Sequence, residues 1–313
     1  MRSAGLTGDN QHMDQPLQGV QSDIRERHRL PEGDVRFKKY HGAGNDYVYV
    51  DARTESRDWP AVAADISDRH KGVGSDGLIL MKTSEVADLR MQMFNADGSE
   101  GEMCGNGIRC FVRFALDENA LPPGVKTVEV ETGAGVLSVA PTLTDGGMTR
   151  ASVSMGPPHL IPADIPIALD GPGPVVDHRL SVEGAQLDIT AVSMGNPHAV
   201  AFLEEEVDDY LLWRIGPRVE HHPLFPNRVN FEIVNVLSRD RLKVRVWERG
   251  SGLTMACGTG ACAAVVAARL HGYVDDAVEV DLPGGVLTVT WPGEGDVVLE
   301  GPVAEVFEGV WPD

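Results

Sequence analysis

The chain has 313 residues, of which 42% are hydrophobic and 24% charged, a balance typical of a globular protein long enough for two domains. Its net charge of −20 makes nucleic acids and anionic membrane surfaces unfavourable partners, because like charges repel. No apolar run approaches the roughly 20 residues that span a bilayer, and four cysteines are too few for a secreted disulfide scaffold, so we expect a cytoplasmic protein with a small-molecule ligand.

The predicted elements begin after a polar, acidic segment, residues 1–34, which we expect to be a flexible tail. Runs that alternate in period two or are rich in Val and Ile predict strands, and Gly, Pro and Asp separate them. The predicted strands are 47–51, 77–82, 89–94, 127–132, 151–156, 189–195, 229–236, 242–248, 278–283, 286–291 and 296–301. Helices are predicted at 59–70, 106–117 and 259–271, and the last two are apolar on nearly every face, as buried helices are.

The two predicted buried helices follow similar motifs, CGNG at 104–107 and CGTG at 257–260. Asn95 and Glu248 each precede the cysteine of their motif by nine residues. This ordered repetition indicates an internal duplication. We expect two pseudo-symmetric domains, divided at the turn-rich stretch 141–150, with a ligand-binding cleft between them.

Each motif cysteine directly precedes a helix, where the first N–H groups carry partial positive charge. We expect this position to lower the thiol pKa, and the same N–H groups can bind a carboxylate. If Cys104 and Cys257 flank one α-carbon, the thiolate of one removes its proton while the thiol of the other delivers a proton to the opposite face. That arrangement inverts a stereocentre. Cys110 and Cys262 lie inside the apolar helices and are expected in the core.

The motif cysteines admit other interpretations. A lone Cys-Gly pair is more often a buried small residue than a base. No metal is expected, because the spacings from Cys104 to Cys110 and from Cys257 to Cys262 are not those of structural zinc. A Cys–His hydrolase would leave the second cysteine unexplained, and a non-catalytic amino-acid-binding module is the alternative outside the enzymes.

Six segments together make the chain resemble the diaminopimelate epimerases. They are KYHGAGNDYVYVD (39–51), RHKGVGSDGLIL (69–80), MFNADGSEGEMCGNGIRC (93–110), SMGNPHAV (193–200), FPNRVNFEIV (225–234) and VWERGSGLTMACGTGACAA (246–264). The resemblance runs from about Val35 to the C-terminus. It implies an isomerase that converts LL-2,6-diaminopimelate to meso-diaminopimelate without a cofactor, on the route to lysine and peptidoglycan precursors.

The resemblance also implies a mixed α+β fold of two pseudo-symmetric domains, each a β-barrel around a central buried helix. The N-terminal epimerase domain would comprise 35–150 plus about 302–313, because the final strand returns to it, and the C-terminal epimerase domain would comprise 151–301. A homodimer is the assembly to test.

By the same resemblance, Cys104 and Cys257 correspond to the two catalytic bases. The backbone amides of Gly105, Asn106, Gly258 and Thr259 would hold the reacting carboxylate, and Glu248 with the Arg249 carbonyl would lie near the reacting ammonium. The distal amino-acid end would be recognised by Asn45, Asn95, Asn196, Asn230 and the Arg249 side chain, with His198 supporting the reacting centre. Taken singly, an asparagine beside glycine is as often a turn residue as a ligand-binding residue.

Three further points bear on function. None of the six lysines lies in a phosphate-binding loop, so pyridoxal phosphate and other cofactors are not expected. Gly77 stands where many family members have a glutamine near the distal end of the substrate.

The runner-up function is a proline- or hydroxyproline-type racemase, which shares the paired cysteines but has no second amino-acid end to recognise.

Overall fold

The computed structural model describes residues 33–144 and 147–312, most of which belong to the compact unit Arg36–Gly309. Residues 1–32, which make up nearly all of the predicted tail, lie outside the described residues. Within the described ranges, no helix combines the length and the apolar character needed to cross a bilayer.

Strands outnumber helices among the described residues. The α-helices of the described residues are α1 (Trp59–Ser67), α2 (Gly105–Asp117), α3 (Leu212–Glu220) and α4 (Gly258–Leu270), with a 3₁₀ turn at Pro162–Asp164. The strands are β1 (Val35–Gly42), β2 (Asn45–Asp51), β3 (Gly77–Lys82), β4 (Leu89–Asn95), β5 (Glu100–Gly101), β6 (Val128–Thr132), β7 (Gly135–Thr144), β8 (Gly147–Ser154), β9 (Val175–Val182), β10 (Ala185–Ser193), β11 (Pro197–Phe202), β12 (Asn230–Ser238), β13 (Arg241–Glu248), β14 (Gly252–Leu253), β15 (Ala277–Leu282), β16 (Gly285–Thr290), β17 (Val298–Pro302) and β18 (Ala304–Trp311).

Strand pairing repeats the same pattern twice. In the first copy, β1 pairs antiparallel with β2, β2 parallel with β3, β3 antiparallel with β4, and β4 parallel with β6, after which β6, β7 and β8 pair antiparallel. In the second copy, β10, β11, β12, β13, β15, β16 and β17 pair in the same sequence of directions. The predicted internal duplication is therefore confirmed, and β8 joins the copies by pairing with β17.

Each copy curves around one buried helix. Helix α2 contacts β2 and β3 as well as β7 and β8 at the far end of its copy, and α4 contacts β10 to β13 as well as β15 and β16. Nearly all residues of α4 are buried because alanine and valine dominate its sequence. The predicted mixed α+β class with two pseudo-symmetric halves is confirmed; the exact domain bounds stay a prediction.

Most predicted elements lie where expected. The helix predicted at 59–70 ends at Ser67, because the Asp68 side chain accepts the N–H groups of His70 and Lys71 and turns the chain. The stretch 141–150, expected to be a turn-rich boundary, lies mostly in β7 and β8, which pair with each other. Strand β18 pairs with β1, where Phe37 and Phe307 contact edge to face.

Helix α3 and several strands, among them β1, β7, β9 and β11, were not predicted. Helix α3 contains both Gly216 and Pro217, residues that normally argue against a helix. Gly216 is required there because a Cβ would lie 2.5 Å from the Trp247 ring. Tertiary packing, rather than local propensity, therefore decides this segment.

Candidate active site

The two motif cysteines are the N-caps of the two buried helices. Cys104 and Cys257 have extended backbone, and their sulfurs accept the N–H groups of Gly107 at 3.4 Å and Gly260 at 3.3 Å. A helix leaves its first N–H groups without internal partners. Because the sulfur takes the third N–H in each helix, the first two remain for a ligand.

The N-termini of α2 and α4 abut each other. A Cβ built on Gly258 would lie 3.6 Å from Gly105 Cα and 3.0 Å from Leu299 Cδ2, and one on Gly105 would lie 3.2 Å from the same Leu299 atom. Only glycine allows this approach. Since each helix N-terminus carries partial positive charge, the junction between the two helices can bind one anion.

A single carboxylate acts on both sulfurs. The charge of Glu248, at the end of β13, raises the pKa of both Cys104 and Cys257, which requires it to lie within electrostatic reach of each. Burial raises the pKa of Glu248 itself, although Thr254 donates to its Oε1 at 2.5 Å. Glu248 therefore acts electrostatically on both cysteines, and their assignment to one active site stays a prediction.

The thiol pKa values differ from the sequence-based expectation. Burial raises the pKa of Cys104, against the lowering effect of the Gly107 N–H and Tyr47. Burial, followed by the charges of Glu248 and Glu232, raises the pKa of Cys257 well above its ordinary value. The expected lowering is therefore wrong, because desolvation outweighs the helix N-terminus.

A two-residue turn places Asn45 beside Cys104. Ala43 and Gly44 both have positive φ, 53° and 81°, as a type I′ hairpin turn between β1 and β2 requires. Asn45 then begins β2 with its Oδ1 3.2 Å from Cys104 Sγ and its Nδ2 2.5 Å from Asp76 Oδ2.

A chain of polar contacts leads from Cys257 into the core. Thr259 Oγ1 lies 3.5 Å from the Cys257 sulfur and receives Asn196 Nδ2 at 3.3 Å. Asn196 Oδ1 lies 2.9 Å from His198 Nε2, and His198 Nδ1 lies 2.7 Å from Glu232 Oε1. His198 and Glu232 are fully buried.

The remaining predicted residues, Asn230, Arg249 and Asn95, lie at or next to the ends of strands. Asn230 is buried and its amide is engaged by backbone: Nδ2 donates to Pro197 O at 2.9 Å, and Oδ1 accepts the Arg249 N–H at 2.9 Å. The Arg249 side chain is exposed, and its Nη1 donates to Asn227 O at 3.3 Å. Asn95 is exposed at the end of β4 and donates to Ser99 Oγ at 3.0 Å.

Gly77 cannot carry a side chain in this backbone. It begins β3 opposite Asn95, and a Cβ there would lie 2.1 Å from Phe94 O and 3.1 Å from the Tyr47 ring. The glutamine of other family members would therefore require β3 and β4 to separate at this pair.

Sequence reasoning missed several residues of the site. Asp76 has the pattern of a turn residue, and Glu232 is one acidic residue inside an apolar strand. Arg109 is fully buried in α2, where it donates to Gly105 O at 2.9 Å and Asn106 Oδ1 at 2.7 Å, while its Nε has no partner among the described residues. A charged residue in an otherwise apolar helix or strand was the available signal.

Comparisons with known proteins agree with one another. The family profile described as Diaminopimelate epimerase matches residues 37–161 and 190–306. A diaminopimelate epimerase of Desulfovibrio desulfuricans is 49% identical over 282 residues, 88% of this chain and 97% of that protein. One of Moorella thermoacetica is 49% identical over 281 residues, covering 89% and 99%. The crystal structure of a hydroxyproline epimerase from Agrobacterium vitis has a TM-score of 0.63 at 14% identity, covering 90% of this chain and 93% of that one, a likeness of fold alone.

Proposed function

This chain belongs to the diaminopimelate epimerase family, and we propose that it interconverts LL- and meso-diaminopimelate with Cys104 and Cys257 as its two proton-transfer groups. One observation carries the proposal: two cysteine-capped helices meet through Gly105 and Gly258, with the charge of Glu248 acting on both sulfurs. Relatives of that name that are about half identical support the substrate.

The reacting carboxylate is proposed to bind where the helices meet. The N–H groups of Gly105 and Asn106 in α2, and of Gly258 and Thr259 in α4, are the first two of each helix. These donors stabilise the carboxylate more strongly as it gains enolate character, because they are fixed before the reaction begins. The buried guanidinium of Arg109 adds positive charge beneath the first turn of α2.

The proton transfer then runs through the two sulfurs. One sulfur, as thiolate, takes the proton from the α-carbon, and the electron pair of the broken C–H bond delocalises into the carboxylate. The other sulfur, as thiol, gives its proton to the opposite face of the same carbon. The two cysteines have exchanged protonation states at the end, so the reverse reaction uses the same groups in opposite roles.

Substrate binding should itself produce the reactive thiolate. The charge of Glu248 raises the pKa of both thiols. The α-ammonium of the substrate, paired with Glu248, cancels that negative charge and favours ionisation of a sulfur nearby. This pairing matches the predicted role of Glu248.

Recognition of the distal end is proposed to rest on Asn95, Asn230 and Arg249 of the predicted polar set, because Asn45 and Asn196 contact Cys104 and Thr259 instead. Asn95 and the Arg249 side chain are exposed and carry donors that suit a carboxylate. Asn230 contributes through the Arg249 backbone, whose N–H it accepts. A proline-type substrate offers nothing for these groups to bind.

Exchange of the α-proton in D₂O tests the proposal. Wild-type enzyme should incorporate deuterium into both LL- and meso-diaminopimelate, and Cys104→Ser and Cys257→Ser should each lose nearly all epimerisation, since an alcohol is a far weaker acid than a thiol. Near-normal turnover by either serine variant would refute the two-thiol reaction. Exchange with proline or trans-4-hydroxyproline but not with diaminopimelate would favour the runner-up, and binding without any exchange would favour a binding module.

We also propose a cytoplasmic location and a homodimer. The first is supported by the four cysteines, all free thiols, because the reaction requires them to stay reduced. The second is supported by Val306 and Phe307 of β18, exposed by 50% and 43%. Light scattering of the purified protein would decide the assembly, and fractionation of the source cells the location.

A further inference from the structure

The amide that faces Cys104 is held in one orientation by a carboxylate. Asn45 Nδ2 donates to Asp76 Oδ2 at 2.5 Å, and Asn45 Oδ1 lies 3.2 Å from Cys104 Sγ. Because a carboxylate only accepts hydrogen bonds, the amide end toward Asp76 is the NH₂ group and the end toward the sulfur is the carbonyl oxygen. A carbonyl oxygen also only accepts, so the contact requires Cys104 to keep its proton and donate it.

Asp76 is itself fixed in place. Its Oδ2 accepts the Asp46 N–H at 3.0 Å as well as Asn45, and its Oδ1 accepts Arg69 Nη2 at 2.9 Å. Its own N–H donates to Asp46 O at 2.7 Å. Both carboxylate oxygens are thus engaged, and Asn45 cannot turn its amide without taking its donor away from the Asp76 carboxylate.

Cys257 has a different environment. Its sulfur receives the Gly260 N–H at 3.3 Å and lies 3.5 Å from the hydroxyl of Thr259. Thr259 Oγ1 accepts Asn196 Nδ2, which leaves the hydroxyl proton free to point at the sulfur. Among the hydrogen bonds of the described residues, a carbonyl acceptor faces the sulfur of Cys104 but not that of Cys257.

We propose that Asp76 is a positioning residue, which holds the Asn45 carbonyl against Cys104 and so keeps that thiol protonated in the free enzyme. The inference rests on the proposed catalytic role of Cys104, but its test measures the thiol without substrate, so each can fail separately. Other titratable and charged groups that act on this sulfur are Tyr47, Tyr49, Arg109, Cys110 and Glu248. Substitution of Asp76 or of Asn45 keeps all of these groups, although both residues also act on Tyr47, Asn45 through a hydrogen bond and Asp76 through its charge.

Alkylation of the full chain by iodoacetamide, followed at each cysteine by mass spectrometry across pH, reports thiol ionisation site by site. In Asp76→Ala, the pH at which alkylation of Cys104 is half-maximal (its midpoint) should be lower than in the wild type. About fivefold more thiolate should be present at neutral pH, because losing one hydrogen bond changes an equilibrium by about that factor. Asp76→Asn keeps an acceptor oxygen for the Asn45 amide and should restore the wild-type midpoint. The midpoint for Cys257 should stay unchanged in every sample and shows that the fold is intact.

Asp46→Ala is the matched control for charge. Asp46 pairs with the same Arg69 and with Lys39 at 2.7 Å, but its side chain has no hydrogen bond to Asn45 among the described contacts. The proposal is overturned if Asp76→Ala leaves the Cys104 midpoint unchanged, or if Asp46→Ala or Asp76→Asn gives the same shift.

A second variant keeps the test decisive even if Asp76→Ala folds poorly. Asn45→Ala removes the acceptor directly and should give the same shift at Cys104. Adding Asp76→Ala to Asn45→Ala should then shift the midpoint no further, since Asp76 acts through Asn45. An absent shift in Asn45→Ala, or an additive shift in the double variant, would refute the inference.

Discussion

One methyl group added at Gly258 tests whether the contact between the helix N-termini is what the reaction requires. A Cβ there would lie 3.0 Å from Leu299 Cδ2. Carbon atoms pack at about 3.5–4.0 Å, so this contact must open by a few tenths of an ångström. Leu299 is fully buried and lies equally against Gly105, so the opening displaces the N-terminus of α4 relative to that of α2.

Gly258→Ala should therefore lower both activity and stability. Overpacking costs about 1–3 kcal/mol of unfolding free energy. A displacement of about 1 Å in a catalytic site can lower the rate about 100-fold, so one of a few tenths of an ångström should lower it on the order of tenfold, or about 1.4 kcal/mol of transition-state stabilisation. We expect kcat/KM to fall by about that factor in both directions, because the equilibrium constant of the reaction fixes their ratio.

Deuterium incorporation gives kcat/KM, and urea unfolding gives the stability. Leu299→Ala removes the atom that the new methyl group meets, so the double variant should recover much of the activity, although the truncation costs about 2–5 kcal/mol of stability. Gly101→Ala is the control, because its Cβ meets the flexible Met93 side chain at 3.1 Å. Near-normal kcat/KM in Gly258→Ala, or no recovery in a folded double variant, would show that the abutting N-termini do not position the substrate.

Two further predictions concern stability. Gly77→Ala should lower the free energy of unfolding by about 3 kcal/mol, the upper end of ordinary overpacking, because its Cβ would lie 2.1 Å from the Phe94 carbonyl oxygen; an unchanged urea midpoint would mean that β3 and β4 can separate freely. Stability should also fall as pH rises above about 8.5, where cysteines of the unfolded chain ionise. Burial raises the pKa of Cys110 and Cys262 to about 12, so the unfolded state loses these protons first and the decline continues until the folded thiols ionise. Replacing both cysteines by alanine should flatten the decline in urea midpoints above that pH, and a slope equal to that of the wild type would contradict the assignment.

The sequence was sufficient for the parts of the site that depend on local geometry. A cysteine followed by Gly-x-Gly and an apolar run predicts an N-cap, and both Cys104 and Cys257 are N-caps. The internal duplication could also be predicted from the sequence. Both halves have the same strand order, so their motifs occur in the same order along the chain. Helix α3 was not predicted. Its segment depends on the close packing of Gly216 against Trp247 rather than on helix propensity, and that contact is not visible in the local sequence.

Long-range contacts were beyond the reach of sequence reasoning. Glu232 meets His198 only because β12 lies parallel to β11, and Asp76 reaches Asn45 only because β3 lies parallel to β2. Each pair is separated by about thirty residues, 34 in one case and 31 in the other, which no local pattern connects.

By itself, the sequence determined that each motif cysteine begins a helix, because N–H groups and caps involve residues within one turn; the groups proposed to carry the chemistry stay a prediction. Only the tertiary structure decided the direction in which the pKa of each cysteine is shifted. The helix N-terminus favours a thiolate at Cys104 and Cys257, yet burial, with Glu248 nearby, raises both pKa values. Desolvation sums over everything packed around an atom, and those surroundings come from strands far apart in the chain.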